Sequence, residues 1–93
     1  MADSILQKEK NCYICGTNMA LEKHHILRGI NRQNADKEGL WVWLCHWHHT
    51  GSKDAVHNNK DLDKALRMFA QMVWEKEHSH DEWMRIFGRN YLE

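Results

Sequence analysis

Cys12 and Cys15 enclose two residues; Cys45 and His48 enclose two more, after an interval of 29. Two close pairs of thiol or imidazole donors, far apart in the chain, are what a tetrahedral zinc site requires: each pair supplies two neighbouring ligands and the fold joins them. Gly16 follows the first pair, where such a knuckle turns its backbone through positive φ. One competing reading makes Cys12 and Cys15 a redox pair and Cys45 a buried apolar residue. Another puts His46 in place of His48. The repeated spacing favours zinc with His48, and no βαβ pattern surrounds Cys12 to support redox chemistry. A closed four-ligand site performs no hydrolysis, so any catalysis must use the remaining histidines His24, His25, His49 and His57. On a strand His24 and His25 point to opposite faces, and they can serve one site only where the strand ends, as the Arg28-Gly29 pair suggests it does.

The elements that must position these groups are short. Met19 to Ile26 reads as a strand, Asn31 to Gly39 as a polar loop, and Leu40 to Leu44 as a second strand rich in β-branched and aromatic residues. The two strands fit an antiparallel hairpin with a long, functional loop. Cys45 to His49 opens a short helix that Gly51 interrupts, and Thr50 to Asn59 is a connection. From Lys60 to about His78, Leu62, Ala65, Leu66, Phe69, Met72 and Val73 recur at helical spacing. Ser79 to Glu82 fits a capping box opening a second helix, which carries Trp83, Ile86 and Phe87 to Gly88. Met1 to Asn11 is polar and aperiodic, a flexible leader docking at most through Ile5 and Leu6.

Composition sets the limits. Ninety-three residues make one small domain, and its thin aliphatic content leaves five tryptophans and a metal to complete the core. The class is α+β: a single domain over residues 12–93, with the metal-bearing part in 12–59 and C-terminal helices in 60–93. A net charge of zero excludes nucleic-acid binding through bulk positive charge. Residues 1–60 nevertheless hold eight Lys or Arg against six Asp or Glu, with six of the eight histidines, whereas residues 61–93 hold five against seven. The longest apolar run, Leu40 to Cys45, is far too short to span a membrane, and a soluble, cytoplasmic protein is expected. Arg28, Arg32, Lys37 and Lys53 lie in the segments around the histidines and are candidate phosphate contacts.

The ordered set Cys12-x-x-Cys15, Leu21-Glu-Lys-His24-His25-Ile26 and Leu44-Cys45-x-x-His48-His49 resembles the HNH endonuclease family, most closely its small phage and prophage members. The tail, with Val56-His57-Asn58 and Phe87-Gly-Arg-Asn-Tyr91, is also similar, so the resemblance runs from Cys12 to Leu92. It implies a zinc-stabilised, treble-clef-like ββα-metal domain with additional C-terminal helices. It further implies hydrolysis of DNA phosphodiesters with one catalytic divalent ion, Mg²⁺, Mn²⁺ or Ni²⁺, beside a structural Zn²⁺ on Cys12, Cys15, Cys45 and His48. Under the resemblance His25 is the general base, His24 and His49 are ligands of the catalytic ion, and His57 is its third ligand. The family's middle Asn is replaced at its usual place by Gly39-Leu40, leaving Asn34 as the first candidate for its role and Asn31 as the second. DNA is the implied partner, and a phage protein partner fits such a small protein; monomer and dimer both remain open. The missing Asn and the zero net charge motivate an alternative, a non-catalytic zinc-binding module for nucleic acid or protein on the same fold.

Overall fold

A computed structural model describes residues 2–93. Its two strands, β1 (Leu21–His25) and β2 (Trp41–Cys45), pair antiparallel, with Leu21 opposite Cys45, Lys23 opposite Trp43 and His25 opposite Trp41. All of β2 except Trp43 is buried, which explains its unbroken apolar run. Side chains alternate across the sheet, so His24 and Val42 share one face while Lys23, His25, Trp41 and Trp43 share the other.

The segment between the strands differs from the expected loop. A 3₁₀ turn (Gly29–Asn31) leads into the short helix α1 (Arg32–Lys37), and the Leu40 N–H closes it by donating to the Ala35 carbonyl at 3.0 Å. Only Ala35 of α1 is buried, so no apolar stripe announces the helix. After β2 the chain makes one wide π-helical turn (Trp47–Gly51) and a 3₁₀ turn (Val56–Asn58).

Two amphipathic helices then cover the sheet's inner side. In α2 (Lys60–Trp74) the Asn59 side chain accepts from the N–H groups of Asp61 and Leu62, capping the first turn. The helix ends before the expected limit near His78, because the chain turns there and lays the His78 ring on Trp74, 4.1 Å between centres. Helix α3 (His80–Phe87) carries the reciprocal Ser79–Glu82 capping box and stops at Gly88, whose φ of +71° closes the C-terminus. Trp74, Trp83 and Phe87 stack into a core with Ile26, Leu40, Val42 and Leu44, and Trp83 is wholly buried. The expectation that the tryptophans belong to the core fails at Trp47, which is 60% exposed.

Residues 2–11 make more contacts than Ile5 and Leu6 alone. The Trp41 indole donates to the Ala2 carbonyl at 2.8 Å, Ser4 Oγ donates to the Trp41 carbonyl, and the Trp43 N–H donates to Gln7 Oε1. The Ile5 N–H reaches the Gly39 carbonyl at 2.9 Å, and Asp3 lies so close to Gly39 that a Cβ there would collide with its carbonyl. Among the described residues no helix is long and apolar enough to cross a membrane. Strands and helices thus form an α+β fold, with the two-stranded sheet on one side and helices on the other.

Candidate metal centres

Cys12, Cys15, Cys45 and His48 converge, their ligand atoms lying within 4.8 Å of one another. A tetrahedron with Zn–S bonds of about 2.3 Å needs S···S edges of about 3.8 Å and S···N edges slightly shorter. Cys15 Sγ and Cys45 Sγ are 3.9 Å apart, and His48 Nδ1 lies 3.9 Å from Cys12 Sγ and 3.2 Å from Cys45 Sγ. The residues fit a zinc ion, and none of the cysteines is in a disulfide. His46, the alternative fourth ligand, instead sits 61% exposed beside Glu22.

Local structure accounts for this convergence. Gly16 at φ +80° lets its N–H donate to the Cys12 carbonyl at 2.8 Å, while the Tyr13 N–H ties the knuckle to the Trp43 carbonyl at 2.8 Å. Burial by itself would raise the Cys12 thiol, but backbone N–H groups of Cys15, Cys45 and Ile14 together bring its pKa down to about 6. That favours the thiolate a metal requires. Burial, and then the neighbouring thiols, push Cys45 up, the usual conflict in a cluster of anionic ligands that a cation resolves.

A second cluster joins His24, His49 and His57, whose ligand atoms also lie within 4.8 Å. His24 is wholly buried, and neither of its ring nitrogens has a hydrogen-bond partner among the described residues. An orphaned buried acceptor or donor costs about 1–3 kcal/mol, so this ring is held in an environment made for something else. Burial, then the nearby His49 and His57, lower its pKa to about 3, which keeps it neutral with a lone pair available. The His49 Nδ1–H donates to Glu22 Oε1 at 2.7 Å, leaving Nε2 turned inward, 3.1 Å from His57 Nε2. This hydrogen bond holds Glu22 below the usual carboxylate range. Glu22 thus stands where a supporting carboxylate would stand if the His49 imidazole took a metal. Arg28 donates to His57 Nδ1 at 2.9 Å and to Asp63 at 2.6 Å, and burial followed by the charges of His49 and Arg28 lowers the His57 pKa.

His25 lies on the opposite face of β1 from this cluster. Its Nδ1–H donates to Asp36 at 2.8 Å, and Arg32 donates to its Nε2 at 3.1 Å. Neither asparagine considered as its brace reaches it. Asn34 is exposed on α1 beside a shallow depression shared with Arg85, and Asn31 donates to the Phe87 carbonyl at 3.0 Å, tying α1 to the end of α3. Asp36 holds the ring in place of Asn34, because one turn of α1 carries it back over the end of β1. Of the cationic candidates, Arg28 and Arg32 border the two histidine groups, whereas Lys37 lines a cavity with Ile5 and Trp74, and Lys53 is exposed in the turn after Gly51. Glu22 and Asp36 were missed in the sequence; an acidic residue just before the paired histidines is the only signal for Glu22, and nothing marks Asp36 unless α1 is foreseen. Comparison with protein-family models, with curated proteins and with solved structures finds no match to this chain.

Proposed function

We propose that this chain is a metal-dependent endonuclease of the HNH type that hydrolyses DNA phosphodiester bonds. The supporting observation is His24: a wholly buried imidazole with two unpartnered nitrogens, facing His49 and His57, beside an independent Cys₃His cluster suited to structural zinc. Three imidazoles leave coordination positions open, the hallmark of a catalytic rather than a structural ion. A divalent ion bound there, Mg²⁺, Mn²⁺ or Ni²⁺, would supply polarisation of a phosphate oxygen and charge neutralisation at the leaving 3′ oxygen. His24, His49 and, once Arg28 releases its Nδ1, His57 would hold it, and Glu22 fixes the His49 ring. His25, oriented by Asp36 through Nδ1, accepts the proton of the attacking water at Nε2 once the substrate phosphate draws Arg32 away. Because His24 and His25 alternate across β1, the phosphate sits at the strand's end, where Arg28 and Arg32 flank it. Phage or prophage origin and a protein partner belong to the same reading.

The test is nicking of supercoiled plasmid with Mg²⁺ or Mn²⁺ by wild type and His25→Ala side by side, with zinc content measured on both. His25→Ala is expected to lose on the order of 10²-fold or more in rate while retaining one zinc per chain; cleavage at the wild-type rate by that variant would reject the assignment. A second reading, a non-catalytic zinc module that binds nucleic acid or protein, is favoured by Arg32 occupying His25 Nε2. It predicts one zinc per chain and no nicking by either protein.

A further inference from the structure

The sheet face that carries His25 also carries Lys23, Trp41 and Trp43, and a cavity of about 480 Å³ opens on it, walled on its other side by Gln7, Lys8 and Lys10. Lys23 Nζ lies 4.6 Å from the centre of the Trp41 ring and 5.5 Å from that of Trp43, and Lys10 Nζ lies 4.7 Å from Trp43. Elsewhere the arginines near the histidines have carboxylate partners: Arg28 and Arg67 share Asp63, and Arg32 pairs with Asp36. Among the described residues Lys8, Lys10 and Lys23 pair with no carboxylate within ion-pair distance. A tryptophan face steadies an ammonium group without cancelling its charge. The result is a cluster of fixed, uncompensated positive charge in a chain of zero net charge, with Asp3 the only acidic residue on the cavity wall.

We infer that this cavity binds the phosphate backbone of a nucleic-acid strand. Trp41 is buried and an ammonium group lies over each of the two rings, which leaves little indole surface for a base to stack on, so the contact is with phosphates and independent of sequence. Lys23 stands two residues from His25 on the same face, and Arg32 lies beyond His25, so Arg32, His25, Lys23 and Lys10 form a row along which a backbone can run. The inference rests on the endonuclease reading for its choice of polyanion, and it extends that reading to residues outside the histidine clusters.

The experiment is equilibrium binding of a short, fluorescently labelled single-stranded DNA across a salt series, with no divalent ion added. The protein is compared as wild type, as Lys8→Gln/Lys10→Gln/Lys23→Gln, as the same triple to Arg, and as Lys60→Gln/Lys64→Gln/Lys76→Gln, two on α2 and one just after it. Each phosphate contact contributes about 0.7 to the slope of log K against log salt for a single strand, so the first triple is expected to lose about 2 from that slope. The Arg triple and the second Gln triple should retain the wild-type slope. Equal losses in the two Gln triples, which change net charge identically, would reduce the effect to bulk charge and overturn the inference, as would a slope unchanged by the first. Nicking activity is not read in this assay, so a failed endonuclease assignment and a failed backbone track give separate results.

Discussion

The two histidine-bearing clusters lie next to each other in the chain and are built on opposite principles. Cys12, Cys15, Cys45 and His48 surround their centre with four ligands at the edge lengths of a zinc tetrahedron. His24, His49 and His57 supply only three: a carboxylate backs His49, whereas Arg28 donates to His57 Nδ1, a contact that leaves the ring proton on Nε2 and must yield before that nitrogen can take a metal. Anionic thiolates need a cation to coexist, so metal at the first cluster would be tied to folding; neutral imidazoles tolerate an empty centre, so any ion at the second would be free to exchange. His48 and His49 are consecutive residues on one π turn, which is how a single short segment serves both. π-Helical turns recur at functional sites because they aim neighbouring side chains in directions a regular helix does not.

The sharpest way to break the contrast is to remove a ligand from the closed cluster. Cys45→Ser is expected to abolish cooperative thermal unfolding, followed by circular dichroism, because structural zinc contributes on the order of 10 kcal/mol to such small domains. A folded, zinc-free Cys45→Ser protein would mean that the core stands without the metal.

The open cluster should respond in the reverse sense. His24 has its pKa lowered to about 3, against about 6.5 in the unfolded chain, so between these values the unfolded state takes up a proton that the native state refuses. Stability therefore falls as pH drops below about 6.5, by roughly 1.4 kcal/mol per unit from this group. His24→Leu removes both the titration and the orphaned nitrogens. It is expected to be more stable than wild type by about 1–3 kcal/mol at neutral pH in urea unfolding, and by about 2 kcal/mol more than that at pH 5, while losing any ion at this cluster. The difference between the two proteins isolates His24 from zinc release, which both share. A pH-independent difference would mean that His24 is not held neutral by burial.

The smallest effect concerns support rather than ligation. Glu22→Gln should weaken binding of the exchangeable ion, titrated by calorimetry with Mn²⁺, by about 10-fold and leave zinc content unchanged. Equal affinity in the variant would reduce the His49–Glu22 hydrogen bond to a surface contact.

Sequence patterns carried the closed cluster well and the open one less completely. Paired spacing identifies Cys12, Cys15, Cys45 and His48 because a tetrahedral metal site constrains the local chain, and these four do converge. The Ser79 capping box and the stripe from Leu62 to Val73 likewise mark α3 and α2, since both signals are local. Helix α1 escaped because a six-residue helix burying only Ala35 has no period to detect, and Asp36 escaped with it. The placement of His25 apart from His24 was legible in strand alternation, whereas the meeting of His49 with His57 depends on a π turn and a 3₁₀ turn that no residue pattern specifies. The contacts of Ser4 and Gln7 use side-chain oxygens at irregular spacing, so a polar, aperiodic segment gave no sign of its anchorage.

That anchorage has a consequence for solubility. A strand at the rim of a two-stranded sheet exposes backbone groups that invite pairing with another chain. In β2 the Trp43 N–H and the Trp41 and Trp43 carbonyls are already engaged by Gln7, Ser4 and Tyr13. The segment approaches this closely because Gly39, at φ +75°, presents no Cβ to the Asp3 carbonyl. The polar first residues thereby act as a guard against edge-to-edge self-association, covering the most apolar strand of the molecule along the side where a second copy would otherwise dock.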